Sequence, residues 1–350
     1  MNLPQTFTLN EEGYTLIQKL ILFRIEEDLS YEHHTLRLIE EKQHNIAQKS
    51  GFVHSLNKAH KSHAATKAIE RIRKKEEWKA CWEAKYLLLL PEMLRNAPTE
   101  KLISQYNETT SGRIQLFLIM QEVIHTPIYN DMDHFKNVGE ETYFEAHIDK
   151  ISLMCGFGPW GKKIYKNTEK FFKDIKDEGG KMLKWGITGL VGIGSVAAVL
   201  ALPVIAPAVG GMLGLSGAAA TTAGLAVLGG GSIAAGGLGM AGGMTVLVGG
   251  SSLLGAVAGG AVGKMLSQIP QEAVALSIIK IINLIRYLKS DDNREQAETM
   301  DALIQAQNMF LEFKQQTERE MVMNGIYSNK KDMMQMSHIL NRAFRQLIHT

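Results

Sequence analysis

The nearest approach to a reactive constellation is Gly156-Phe-Gly-Pro-Trp-Gly161-Lys162-Lys163, which has the Gly-x4-Gly-Lys spacing of a phosphate-binding loop after a short predicted strand through Ile151, Leu153 and Cys155. Such a loop cradles phosphate with backbone amides, reaches it with the lysine and ligates magnesium through a Ser or Thr that follows. Here Lys163 stands where the hydroxyl belongs, and Pro159 removes an amide. A turn ahead of a basic helix is the better reading. Gly192-Ile-Gly194-Ser-Val-Ala197 matches a dinucleotide fingerprint in its letters, but no acid follows at the required distance of about 20 residues. Gly214-Leu-Ser216-Gly-Ala218 has the outline of a nucleophile elbow without a strand leading into it or an acid or base nearby. His60 and His63, with His54 upstream, could share a helix face as metal ligands, yet no matching Cys or acidic spacing accompanies them. The basic stretch Lys58–Lys79 is interleaved with Glu70, Glu76 and Glu77, as on an ordinary charged helix face. No enzyme, cofactor, metal or specific nucleic acid is therefore expected.

What these fragments surround is more informative. From Trp185 to Gly263 run 79 consecutive residues without Asp, Glu, Lys, Arg or His, between Lys184 and Lys264. As helix the run would reach on the order of 120 Å, several crossings of a bilayer core about 30 Å thick. Yet 23 of the 33 glycines lie inside it, and Gly and Ala contribute little transfer free energy. Small residues recur every fourth position in two ladders, Gly231, Ala235, Gly239, Gly243 and Ser251, Gly255, Gly259, Gly263. On helices that spacing makes a smooth groove for close backbone approach, the small-xxx-small packing of membrane helices. In water the same glycines cost about 1 kcal/mol each against Ala. A solvated linker would gain nothing from Val199, Leu200, Val246, Leu247, Leu253 and Leu254, so a segment that a protein carries folded and later inserts is the expectation.

Basic residues stand at both ends of the run: Lys181 and Lys184 before it, and Lys264, Lys280, Arg286 and Lys289 after it. The positive-inside rule then implies an even number of crossings, two or four. Upstream, Trp160, Ile164, Phe171, Phe172 and Ile175 share one face of a predicted helix, while Lys162, Lys163, Lys166, Lys170, Lys173 and Lys176 occupy the rest. This is the pattern of a helix lying in a headgroup layer, with Trp160, Lys162, Lys163, Phe171, Phe172, Lys184, Trp185 and Lys264 as interfacial anchors.

The flanks read as helices, an all-α chain with no period-two run of useful length before residue 145. Leu16, Ile17, Leu20, Ile21, Ile25, Leu29, Leu36 and Ile39 predict an amphipathic helix from Glu11 to about Lys49, interrupted near Ser30. A second runs from about Ser55 to Leu90, stopped by Pro91. Others are predicted at 99–125, capped by Thr99, and at 130–150. Beyond Pro270, QEAVALSIIKIINLIRYL (271–288) is an amphipathic or buried helix; 293–323 carries a decaying heptad through Leu303, Phe310 and Thr317; and 331–348 places Met333, Met336, Leu340, Phe344 and Leu347 on one face. The division expected is an N-terminal bundle (1–150), a basic interfacial segment (151–184), the membrane-inserting region (185–263) and a C-terminal helical module (264–350).

At 350 residues two or three modules are the prior, and the net charge of +2 conceals that every charge lies outside the central run. Cys81 and Cys155 are too few for a disulfide framework and fit a reducing compartment. No basic n-region followed by an apolar h-region opens the chain, so cytoplasmic synthesis before transfer to a membrane is expected.

A Gly/Ala-rich uncharged segment between charged amphipathic helices resembles the α-helical pore-forming proteins, both colicin-type domains with a buried hydrophobic hairpin and haemolysins with a hydrophobic head on helical arms. Secretion-system translocators are similar in plan. The resemblance covers about 150–290 and lies in architecture and composition. It implies that Trp185–Gly263 inserts, that the basic flanks dock on lipid, and that the bundles shield the hairpin, sense a trigger or form a homo-oligomer, with a regulatory or neutralising protein as a further partner. The prolines 91, 98 and 127 depart from the uninterrupted arms of the haemolysin plan. A constitutive multi-spanning channel or translocator subunit and a soluble oligomeric scaffold are the alternative readings.

Overall fold

A computed structural model describes residues 11–49, 54–87, 90–126, 128–129, 141–179, 271–290, 297–323, 325 and 330–348. The uncharged run, both glycine ladders, Lys184, Trp185, Lys264, the fingerprint-like Gly192–Ala197 and the Ser216 elbow all lie outside the described residues. Among the described residues the chain is all-α, with no strand.

Among the described residues ten α-helices follow in order: α1 (Glu11–Lys49), α2 (His54–Trp82, extended by a π-helical turn Glu83–Leu87), α3 (Glu92–Asn96), α4 (Thr99–Asn107), α5 (Thr110–His125), α6 (Phe144–Met154), α7 (Trp160–Gly179), α8 (Gln271–Leu288), α9 (Ala297–Met323) and α10 (Lys330–Ile348). Several expectations are corrected. α1 continues unbroken through Ser30, whose exposed position leaves the apolar stripe on the other side intact. The stretch 99–125 is two helices. Thr99 does not cap the first, which follows Pro98 without a side-chain cap; Thr109 caps the second, its Oγ1 accepting from the Gly112 amide at 3.0 Å. Gly112 is needed there, because a Cβ would sit 2.4 Å from the Tyr106 carbonyl oxygen. The strand expected at Ile151–Cys155 is the last turn of α6 and its cap. Residues 130–140 of the helix expected at 130–150 lie outside the described residues.

The apolar stripe of α1 from Leu16 to Leu29 packs on α2, α4, α5 and α6, and is fully buried. α5 and α8 are apolar on every side and buried on every side, the arrangement required of a helix at the centre of a bundle. α8 is wrapped by α5, α7, α9 and α10. Leu303, Phe310 and Thr317 of the heptad face inward to this same bundle, so among the described residues their stripe is occupied within the chain. On α10, Met336, Leu340 and Leu347 are buried, with Met333 and Phe344 packed beside them. Among the described residues one contiguous hydrophobic core takes in side chains from Leu16 to Leu347. No helix among the described residues is long and apolar enough to cross a membrane.

Candidate functional site: the central helices and the exit of the uncharged segment

Seven residues separate Gly263, the end of the uncharged run, from Gln271, where α8 begins, and several polar groups of α8 find partners inside the core. The Lys280 ammonium lies 2.6 Å from Glu122 Oε1, both side chains at most 3 % exposed. Gln121 Nε2 donates to the Lys280 carbonyl at 3.2 Å, and Asn167 Nδ2 donates to Asn283 Oδ1 at 3.0 Å. At the C-terminal end of α8, Tyr287 stacks on Phe117 at 4.2 Å and meets Phe157 and Trp160 edge-on, while Arg113 donates to its hydroxyl at 3.1 Å. α5 and α8 thus each bring one fully buried charge to the contact between them, and the two charges meet.

The same contacts set helix direction. Trp160 opens α7 and lies against Tyr287, which closes α8; further along, Asn167 meets Asn283. The two helices are therefore antiparallel. From the Asn167–Asn283 bond, Gly179 and Gln271 are each twelve residues away, about 18 Å along either axis. The chain that departs from α7 and the chain that enters α8 do so at the same end of the bundle. α10 runs parallel to α8, with Gln271 Nε2 donating to the Asp332 carbonyl at 2.9 Å and Arg286 Nη2 near Gln346 Oε1 at 3.4 Å. Arg342 of α10 pairs with Asp174 of α7 across it.

His125, at the end of α5, joins this junction. Gln121's carbonyl oxygen, 2.7 Å from Nδ1, makes that nitrogen the donor, and Nε2 lies 2.9 Å from Thr168 Oγ1, whose hydroxyl also reaches the Ile164 carbonyl oxygen at 2.9 Å. Burial, reinforced by the Lys280 charge, pushes the imidazole down to about 3 from its ordinary 6.5. The folded state holds it neutral where the unfolded chain binds a proton. Its contribution to stability is full above pH 6.5 and is lost as the pH falls from there toward 3. The ring keeps some solvent contact, so the loss expected is about 2 kcal/mol rather than the full shift. Urea unfolding of the wild type and of His125→Gln over that pH range should diverge on the acid side; parallel curves would remove His125 from the account.

A second buried polar cluster ties α1 and α2 to the segment before α6. The Lys75 ammonium contacts Asp28 Oδ2 at 2.6 Å and Glu32 Oε1 at 3.0 Å, and sits over the Tyr129 ring at 4.6 Å. Arg71 pairs with Glu32, and Thr142 donates its amide to Asp28 Oδ1 at 2.6 Å and its hydroxyl to Glu32 Oε1 at 3.0 Å. Arg24 pairs with Glu141 and donates to the Val123 and Thr126 carbonyls. Burial alone would raise the Glu141 carboxyl, but the Arg24 charge and the His147 hydrogen bond outweigh it and hold it below the ordinary carboxyl range.

The fate of the predicted sites follows. The phosphate-loop spacing is a helix-to-helix turn whose amides are already engaged: Phe157 N donates to Ser152 O at 2.8 Å, Gly156 N to Leu153 O at 3.0 Å, Gly161 N to Ser152 Oγ at 3.0 Å and Lys163 N to Pro159 O at 3.2 Å. The first two bonds are a Schellman cap on α6 with Gly156 in the left-handed region at φ 77°. Gly161 is there for close packing of α7 on α6, since a Cβ would lie 2.6 Å from the Ile148 carbonyl oxygen. Among the described residues no group of three or more His, Cys, Asp or Glu is placed to hold a metal, and His63 is exposed. Of the expected anchors, Trp160, Phe171 and Phe172 are packed in the core, with Phe171 fully buried. Lys162 pairs with Glu145 at 3.0 Å, which raises the lysine, and Lys163 lies over the Trp160 ring at 4.9 Å. The face of α7 left to solvent carries Lys163, Lys166, Lys170 and Lys173.

Sequence reasoning missed the Glu122–Lys280 pair and the Asp28–Glu32–Lys75 cluster. A signal existed for the first: one acid inside LFLIMQEVI and one base inside SIIKII are each unusual in a buried stretch unless they meet. Comparison with protein-family models, with curated proteins and with solved structures finds no match to this chain.

Proposed function

We propose that this protein is a non-enzymatic, membrane-inserting pore former, made in the cytoplasm and carried folded until its uncharged segment enters a bilayer, where copies of the chain assemble. A toxin or a cell-suicide defence effector would act in this way. The observation that carries the reading is the pairing of a 79-residue run without a formal charge with flanking helices that are antiparallel. A segment that departs and re-enters at one end of a bundle suits an even number of crossings, as the lysines on both flanks also do. The bundle's role is to hold α8 and the segment's two ends in a fixed relation while the glycine ladders supply close helix contacts in lipid.

Release of an encapsulated dye from liposomes by the purified full-length protein tests the proposal. Vesicles that stay intact with the full-length protein, before and after it has been activated, would overturn it. Gly255→Leu together with Gly259→Leu fills the groove of the second ladder, and dye release by that variant should fall at least about tenfold, the effect of about 1.4 kcal/mol per contact interface. Undiminished release would show that this ladder is not the packing surface.

A further inference from the structure

We propose that the lysine face of α7, formed by Lys163, Lys166, Lys170 and Lys173, is a dock for anionic phospholipid headgroups that holds the protein on a bilayer by charge alone. This rests on the pore-forming reading and adds to it the surface and the lipid class of the first contact. Steps of three, four and three residues keep the four lysines on one side of the helix over about 15 Å. Every exposed position of α7 from Trp160 to Ile175 is one of these lysines. Among the described residues Lys166, Lys170 and Lys173 have no ion-pair partner.

The neighbouring acids are set back or engaged elsewhere. Glu145 of α6 pairs with Lys162 at the edge of the stripe, where Asp149 also bears on Lys162, and Glu145 feels the Lys166 charge as well. Glu169 is half-buried beside the Tyr165 hydroxyl, and Asp174 is half-buried against Arg342 of α10. Across α6, α7 and α10, which lie side by side, eleven Lys and Arg stand against seven Asp and Glu, so this flank is positive while the remainder of the chain is negative. The sequence suggests that Trp160, Phe171 and Phe172 would reach into lipid, but all three are committed to the core. Attraction must therefore come from the ammonium groups, whose pull on an anionic surface adds up over the stripe and weakens with salt. No aromatic ring stands exposed between the lysines to stack on a nucleic-acid base, and Tyr165 beside them is turned to Phe144 at 4.9 Å. α7 ends six residues before the uncharged run begins, so a bundle held by this helix keeps the run's first residues close to lipid.

The test is co-sedimentation of the full-length protein with vesicles of phosphatidylcholine containing phosphatidylglycerol and with phosphatidylcholine alone, alongside dye release. The wild type should bind the anionic vesicles and not the neutral ones, and binding should fall at least about tenfold between about 0.1 M and about 0.5 M salt. Lys166→Gln, Lys170→Gln and Lys173→Gln together should keep wild-type helicity, since the positions are exposed and Gln is a good helix former, and should bind about a hundredfold more weakly. Arginine at the same three positions should bind like the wild type. Lys42→Gln, Lys67→Gln and Lys101→Gln remove the same charge from exposed positions on α1, α2 and α4 and should leave binding unchanged. Equal loss in that control would overturn the proposal, because net charge and not the α7 face would then be the cause. A 166, 170 and 173 variant that binds like a wild type that itself releases dye would overturn the dock and leave the pore reading standing. Stripe-dependent binding by an activated wild type that leaves vesicles intact would remove the pore reading and leave the dock. Equally tight, stripe-dependent binding of a DNA duplex would assign the face to nucleic acid, against this proposal.

Discussion

Replacing Glu122 by Leu, or Lys280 by Met, is expected to cost on the order of 3–5 kcal/mol of unfolding free energy, and making both changes together to restore most of it. Each single change leaves the other member of the pair at a position at most 3 % exposed, with the counter-ion it meets among the described residues gone. A buried pair adds little over two apolar residues of similar size, but half a pair is costly, because the remaining ion has neither water nor a partner. The Lys280 single variant should also relieve the depression of His125, whose second cause is the Lys280 charge. Urea midpoints of the four proteins measure the coupling. Additive single effects would mean that the two charges do not depend on one another in the folded state. The pair also assigns α8 a single register on α5, since a slip of one residue would turn Lys280 away from Glu122 by about 100°.

Lys75→Met should destabilise the protein to a similar extent, about 3–5 kcal/mol near neutral pH, for a different reason. It leaves the Asp28 and Glu32 carboxylates buried with less cationic compensation, Glu32 retaining Arg71 and Asp28 retaining the Thr142 amide. In the wild type, burial would raise Glu32, but Arg71 and Lys75 outweigh it and hold it below the ordinary value of 4.5. Stability from that carboxylate is present above 4.5 and is lost as pH falls through its lower folded value. In Lys75→Met one cause of that lowering is gone while Arg71 remains, so Glu32 takes up a proton more readily in the folded variant than in the folded wild type. The penalty should therefore shrink on mild acidification, while the wild type does not gain. Asp28→Asn added to Lys75→Met should recover part of the loss. A penalty that is flat with pH would point to lost packing of the lysine stem instead.

The helical class of the flanks and most of their extents were legible because apolar residues repeat at three and four. Leu16 to Leu29 and Met336 to Leu347 fall on the faces that are buried. Helix ends were less legible, since they depend on atoms that periodicity does not register. Thr99 opens a helix that has no side-chain cap, whereas Thr109 caps the next one through the amide of Gly112, which only glycine can supply beneath the Tyr106 carbonyl. The Gly-x4-Gly-Lys spacing misled because glycine serves two ends in this turn, a left-handed cap at 156 and a close helix contact at 161, neither of which requires a ligand. Trp160, Phe171 and Phe172 have the spacing of a lipid-facing stripe, and an amphipathic helix looks the same whether its apolar side meets protein or lipid.

By itself, the order of residues determined the helical nature of the flanks, the solvent preference of each face and the existence of a long neutral stretch between two basic borders. Those are local properties, set by side-chain chemistry and the 3.6-residue period. Only the tertiary structure decided that α5 and α8 are the central helices, that Glu122 meets Lys280 across 158 positions of chain, and that Gly179 and Gln271 stand at the same end. Such pairings follow from which surfaces bury each other at least cost in unpaired polar groups, and that depends on the whole chain at once.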